Sequence, residues 1–214
     1  WKDAALGMFV HWGLYSMLGG VWNGRRTDNV SEWIMRHLEI PVESYRALAA
    51  SFCPENFNAR QWVQLAADSG MKYLVYTAKH HDGFAMYHSK CSKYNIVDAT
   101  PFGRDPLEEL AEACAMAGIK LGVYYSQAQD WDEPNGLGYG KPDSEKNYAQ
   151  YYHDKCLPQL RELLTQYGSL GLMWFDTPMS MTAAQSRGIY DLVKALQPDC
   201  IVSGRIGNGL GEYM

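Results

Sequence analysis

The chain of 214 residues contains no apolar stretch approaching the ~20 residues that a bilayer-spanning helix requires, so no membrane span is expected. It has no charged-then-apolar leader at its start; a signal peptide removed earlier leaves no trace, and the compartment stays open. Basic residues are in deficit, with 19 Lys and Arg against 24 Asp and Glu and a net charge of −5. A nucleic-acid or anionic-membrane partner needs clustered Lys and Arg to neutralise phosphates, so neither is expected and a neutral substrate is the default. Metal-ligand spacing is missing too: there is no HxH and no HExxH, and the five cysteines (Cys53, Cys91, Cys114, Cys156, Cys200) form no CxxC. An odd number cannot all pair within the chain, and they read as mostly free, buried thiols. No internal repeat, low-complexity segment or linker divides the chain.

What is present fits one domain with a sizeable core, at 47% apolar residues. Short buried runs alternate with amphipathic stretches, the pattern of an α/β domain with a parallel sheet. Five strands are predicted: Leu6 to His11, Tyr73 to Ala78, Lys120 to Ser126, Leu170 to Asp176 and Ile201 to Gly204, with the residues from Trp1 onward already joining the first. Between them, Asp105, Pro106 and Glu108 form a capping-box start for a helix that Gly118 closes. Ile189, Leu192, Val193 and Leu196 mark a second helix before Pro198. Val42, Tyr45, Ala49 and Phe52, then Trp62, Val63 and Ala66, mark two more. Glu145 to Tyr167 is helical by pattern, with Pro158 expected to kink or restart it. The segment from Glu133 to Pro142 reads as a long loop after the third strand. Five β/α units are an incomplete (β/α)8-like TIM barrel, since a closed one takes eight units and ~250 residues; the chain is expected to be a truncated barrel domain over 1–214.

Polar groups gather at the C-terminal ends of these strands: His11 and Trp12; Lys79, His80, His81 and Asp82; Tyr124, Tyr125 and Ser126; Trp174 and Asp176; Arg205. In a parallel barrel those ends converge on one face. Seven Trp and fifteen Tyr, several just after apolar runs, suit a polar, ring-shaped ligand. Asp176 places a carboxylate at a pocket floor with aromatic walls, as a glycosidase nucleophile needs; a strand-end Asp capping the next helix looks the same. His80 and His81 can serve sugar hydroxyls, a metal or the core, and a metal-dependent hydrolase would draw on His11, His80, His81 and Asp176. Ser31 and Glu32 fit a helix start as well as a binding loop with Trp33. Arg205 fits a hydroxyl donor or a partner for a carboxylate. The glycines from Gly204 to Gly211 lack the Lys and the following helix of a phosphate loop.

Taken together, these runs resemble one known family. Gly7-Met8-Phe9-Val10-His11-Trp12-Gly13-Leu14-Tyr15-Ser16, Ala78-Lys79-His80-His81-Asp82-Gly83-Phe84, Ser89-Lys90, Tyr94-Asn95, Gly122-Val123-Tyr124-Tyr125-Ser126, Asp130-Trp131 and Trp174-Phe175-Asp176 occur in the order found in retaining α-L-fucosidases, glycoside hydrolase family 29. The resemblance implies a distorted (β/α) barrel followed by a β-sandwich absent from this chain, hydrolysis of terminal α-L-fucosyl residues from glycans and glycosides through a covalent β-fucosyl intermediate, and no metal or other cofactor. It implies Asp176 as nucleophile, His11, Glu32, Trp33, His80, His81, Tyr124 and Arg205 as fucose-binding groups, and Trp174 as pocket wall. It favours an extracellular, periplasmic or lysosomal setting. It places the general acid/base downstream of the Gly-rich segment, where this chain offers only Glu212, at a spot where the family often carries an acidic residue that is not the proton donor. A fucose-binding barrel or fragment without turnover is the alternative. Oligomeric state is not legible.

Overall fold

A computed structural model describes residues 4–213; Trp1 to Asp3, which the sequence joins to the first strand, and Met214 lie outside the described residues. All five predicted strands form: β1 (Gly7–Val10), β2 (Tyr73–Lys79), β3 (Lys120–Tyr125), β4 (Leu172–Phe175) and β5 (Ile201–Val202). They make one sheet in chain order, each neighbour parallel to the next. Such strands read as short continuous apolar runs because parallel sheets are covered on both faces.

Four helices follow β1 to β4: α1 (Ala59–Asp68), α2 (Pro106–Ala117), α3 (Leu157–Gln166) and α4 (Ala183–Leu196). Before α1, the Val42-to-Phe52 periodicity appears as a helix over Val42–Arg46 running into a 3-10 helix over Ala47–Ser51. Leu74, Tyr76, Ala78, Leu121, Val123, Tyr125, Met173, Phe175 and Val202 point to the helices and share a core with Val63, Leu107, Leu110, Leu160, Leu163, Ile189 and Val193. The alternate residues Val75, Tyr124 and Leu172 point the other way and form a separate small cluster with Tyr73, Trp174, Ile201 and Tyr213.

The helix boundaries have local causes. Asp105 accepts from the N–H groups of Leu107 and Glu108, and Gly118 closes α2 at φ 69°. The reciprocal box expected there forms instead at α4, between Thr182 and Gln185. Pro158 restarts its helix as predicted: a helix over Tyr148–Tyr151 passes into a π-helical turn over Tyr152–Cys156, then into α3 with the proline in its first turn. Widening to π geometry gives room where a proline ring would press on the carbonyl four residues back. An antiparallel ribbon, Val21–Trp22 with Arg25–Arg26, was not anticipated. Its signal was present, since Asn23 and Gly24 both take positive φ, as a two-residue hairpin turn requires. Cys114, Cys156 and Cys200 are buried and all five thiols are free, as expected.

Candidate active site

Strict alternation along β2 would put Lys79 on the same face as Thr77. A register shift between Thr77 and Lys79 pairs Lys79 with Tyr125 instead, and such bulges re-aim side chains. Lys79 therefore turns to the helix-covered side, where its Nζ lies 4.6 Å over the Tyr125 ring and bonds Asp130 Oδ2 at 3.0 Å and the Tyr151 hydroxyl at 2.7 Å. Lys155 reaches the same carboxylate oxygen at 3.0 Å. Burial lowers the Lys79 pKa against the opposing pull of Asp130; burial of Asp130 is outweighed by its two lysines, and its carboxyl stays below the usual range. The chain then turns, with Gly83 N–H donating to the His80 carbonyl. Gly83 sits at φ 79°, and a Cβ there would collide with the Asp130 carboxylate, so glycine is required.

Within this turn both imidazoles face one site. His80 stacks on Tyr124, ring centroids 5.2 Å apart and planes 8° from parallel, and lies 4.3 Å from His81. His11 lies 5.5 Å from His80 and 5.2 Å from Tyr124. Ser31 and Glu32 do begin a helical turn, a 3-10 segment over Ser31–Trp33. That same turn sets Trp33 4.9 Å from His81, so the two sequence readings of this segment are compatible. Glu32 acts on His11 through its charge. Trp174, paired with Tyr124 across the strands, packs against Phe9 at 4.9 Å.

Asp176 follows β4 at the centre of this group. Its Oδ2 accepts from the Tyr124 hydroxyl at 2.7 Å and its Oδ1 from Arg205 Nε at 2.6 Å. Arg205 thus realises the second of its two sequence readings, as partner of a carboxylate, with its side chain still half exposed. Burial would raise the Asp176 pKa, but the Tyr124 hydroxyl and the Arg205 guanidinium outweigh it and hold the carboxyl well below the usual range. Burial, reinforced by Asp176, pushes the Tyr124 hydroxyl up, so it stays a donor. Burial lowers all three histidines, His80 most, where the neighbouring imidazoles add to the effect. A neutral imidazole offers one donor and one acceptor, and buried His80 Nδ1 and His81 Nε2 have no hydrogen-bond partner. An ionised, partly open carboxylate beside neutral donor-acceptor groups and aromatic walls suits a neutral polyol ring.

The sequence reading missed the two glutamines after β3. Buried Gln127 accepts from Asp176 N–H at 2.9 Å and donates to the Arg205 carbonyl at 3.1 Å. Gln129 donates to the Thr177 hydroxyl at 2.7 Å. Their one signal was the alternation of long amides in a segment too close to a buried strand to be solvent loop. Glu212 is committed elsewhere: it binds Lys194 at 2.6 Å, the Val202 N–H at 2.8 Å and Tyr190 at 3.2 Å. Burial would raise its pKa, yet these bonds lower it, the opposite of what a proton donor needs. A cavity of about 460 Å³ lined by Cys114, Lys120 and Tyr167 contains none of the candidate site residues. Among the described residues, no three His, Cys, Asp or Glu side chains are grouped to hold a metal, and no helix is long and apolar enough to cross a membrane.

Comparison with known proteins gives the chain its family. The family profile described as Alpha-L-fucosidase matches residues 1–213. Alpha-L-fucosidase 1 of Arabidopsis thaliana is 32% identical over 213 residues, covering 97% of this chain and 36% of that protein. The human plasma alpha-L-fucosidase is 32% identical over 185 residues, covering 82% of this chain and 38% of the relative. The chain thus spans little more than a third of these relatives' length. Among solved structures, alpha-L-fucosidase AlfC from Lactobacillus casei with α-L-fucose product superposes with a TM-score of 0.94 at 47% identity, covering 97% of this chain and 70% of that one. The five-stranded parallel sheet of this chain, with its covering helices, is part of the (β/α)-barrel fold that the sequence predicts.

Proposed function

The chain belongs to the α-L-fucosidase family, and from that premise we propose that it carries the nucleophile and sugar pocket of an exo-glycosidase that hydrolyses terminal α-L-fucosyl residues. The observation that carries the reading is Asp176 held ionised by Tyr124 and Arg205 beneath three neutral imidazoles. A related enzyme, the Lactobacillus casei fucosidase, has been solved in variant form with Fuc-α(1,6)-GlcNAc and with 4-nitrophenyl α-L-fucopyranoside, which supports fucosylated glycans and aryl fucosides as ligands here.

Asp176 attacks the anomeric carbon from the face opposite the leaving group, forming a β-fucosyl ester as the glycosidic C–O bond breaks. Water then displaces Asp176 and restores the α configuration. Such a double displacement needs a proton donor about 5–5.5 Å from the nucleophile. Glu212 does not supply it, for the reasons of geometry and charge given above, and we place the donor downstream of the Gly-rich segment, where the family resemblance puts it. His11, His80 and His81 bind hydroxyls, Trp33 and Trp174 wall the ring, and Glu32 completes the polar rim.

In the complete enzyme, Asp176→Gly should abolish hydrolysis of an aryl α-L-fucoside, and azide should restore turnover while giving the β-fucosyl azide. An α-configured product or near-normal activity would refute the nucleophile. Fucose binding without any hydrolysis in the unmutated enzyme would favour the non-catalytic alternative.

A further inference from the structure

The Ser126 hydroxyl has one proton and two neighbours. Its Oγ lies 2.7 Å from the Gln129 carbonyl oxygen and 2.7 Å from His81 Nδ1. A carbonyl oxygen only accepts, so the Ser126 proton goes to Gln129. The bond to His81 can then form only with the imidazole donating from Nδ1. Both partners are fully buried, leaving no solvent to offer another arrangement. The relay is anchored in turn, because Gln129 also holds Thr177 beside Asp176 and accepts from Trp131 Nε1 at 3.1 Å.

A neutral imidazole with its proton on Nδ1 has a lone pair at Nε2. That atom is buried without a hydrogen-bond partner and stands 3.5 Å from Asp176 Oδ2. Two acceptors facing each other do not bond. They fit around a group that brings its own O–H.

We propose that Ser126 is a positioning residue that fixes His81 as the Nδ1–H tautomer, so that His81 Nε2 accepts a hydrogen bond from a sugar hydroxyl instead of donating one to Asp176. The arrangement has two effects. It leaves Asp176 Oδ2 with the Tyr124 hydroxyl as its donor, without a second hydrogen bond to blunt its nucleophilicity. It also selects a ligand that presents an O–H at this point: an ether or a deoxy carbon there leaves Nε2 unpaired. The sugar-binding consequence rests on the proposed function, whereas the tautomer rests on the Ser126 geometry alone.

The direct test is the pair of His81 ring ¹⁵N shifts in the unmutated protein above neutral pH. The expected pattern has a protonated, pyrrole-type Nδ1 and a bare, pyridine-type Nε2; the reverse would overturn the proposal without any variant having to fold. Ser126→Ala should move the proton to Nε2 and weaken fucose binding about tenfold, in line with one unmet polar group in a closed site. Ser126→Thr, which keeps the hydroxyl, should retain the tautomer. If Ser126→Ala leaves the proton on Nδ1, or Ser126→Thr loses it, Ser126 does not set the tautomer. If the shifts are as expected but fucose does not bind the unmutated protein, the tautomer stands and the fucosidase reading fails.

Discussion

The two faces of the sheet handle polar groups in opposite ways. On the helix-covered face Lys79, Asp130 and Lys155 are buried and paired, with Tyr151 completing the cluster. On the other face, at the strand ends, His80 Nδ1 and His81 Nε2 are equally buried but have no partner. Free energy explains the contrast. An unpaired buried polar atom costs roughly 1–3 kcal/mol, a cost that a ligand bonding the two imidazoles would remove. The paired side maintains the frame that holds the unpaired side in place: Gly83 passes over Asp130, and the Trp131 N–H binds the His81 carbonyl at 2.8 Å.

The largest effect should come from breaking the paired side. Asp130→Ala leaves two buried ammonium groups without their shared carboxylate, and uncompensating a buried pair costs about 3–5 kcal/mol. Urea unfolding should show that loss. A change below about 1 kcal/mol would mean that the lysines find water, and that the contrast between the faces is overstated.

Asp82 sharpens the comparison through pH. It lies on the turn between the two faces, fully buried, with its Oδ2 accepting from the Tyr45 hydroxyl at 2.8 Å. Burial raises its pKa from 3.8 to about 7, despite the Tyr45 and Phe84 bonds that oppose the rise. Between those values the folded state binds the proton and the unfolded chain does not. Stability is therefore full below about pH 4 as far as this group is concerned, falls as pH rises through about 7, and is flat beyond; each tenfold change in proton affinity on folding corresponds to about 1.4 kcal/mol. Asp82→Asn keeps an acceptor for Tyr45 without the charge. It should remove this slope and be the more stable protein at about pH 8 by a few kcal/mol. An unchanged slope in denaturant titrations at several pH values would assign it to another group, with Asp132, raised by burial to about 6, the next to examine.

Legibility in the sequence divides along the same line. The five strands and the polar groups at their ends could be read because burial on both faces writes itself as apolar runs that end in polar residues. The placement of Lys79 could not, since it depends on a one-residue register shift that leaves the composition of β2 unchanged. Gln127 and Gln129 escaped because an amide carries no charge and no spacing rule; their role exists only once β3 and β4 lie side by side. The eight other candidate residues inferred from strand ends and family likeness lie around Asp176, but Arg205 came with two readings, and only the fold shows its guanidinium on the carboxylate.

The smallest expected effect probes the unpaired side directly. His80→Ala and His81→Ala remove groups whose free ring nitrogens await a ligand, so little native bonding is lost beyond the Tyr124 stack and the Ser126 contact. Each substitution should weaken fucose binding by ~1–3 kcal/mol, measured by calorimetry, because the sugar hydroxyl it served is left unmet in a closed pocket. Unfolding free energy should change less than for Asp130→Ala. Chelation with EDTA should leave binding and turnover of the complete enzyme intact, since imidazoles that serve hydroxyls need no ion between ring and sugar. If instead EDTA abolishes activity and zinc restores it, the histidines are metal ligands. If the two alanine variants unfold as readily as Asp130→Ala yet bind fucose normally, the strand-end histidines belong to the frame, and the division between the two faces is wrong.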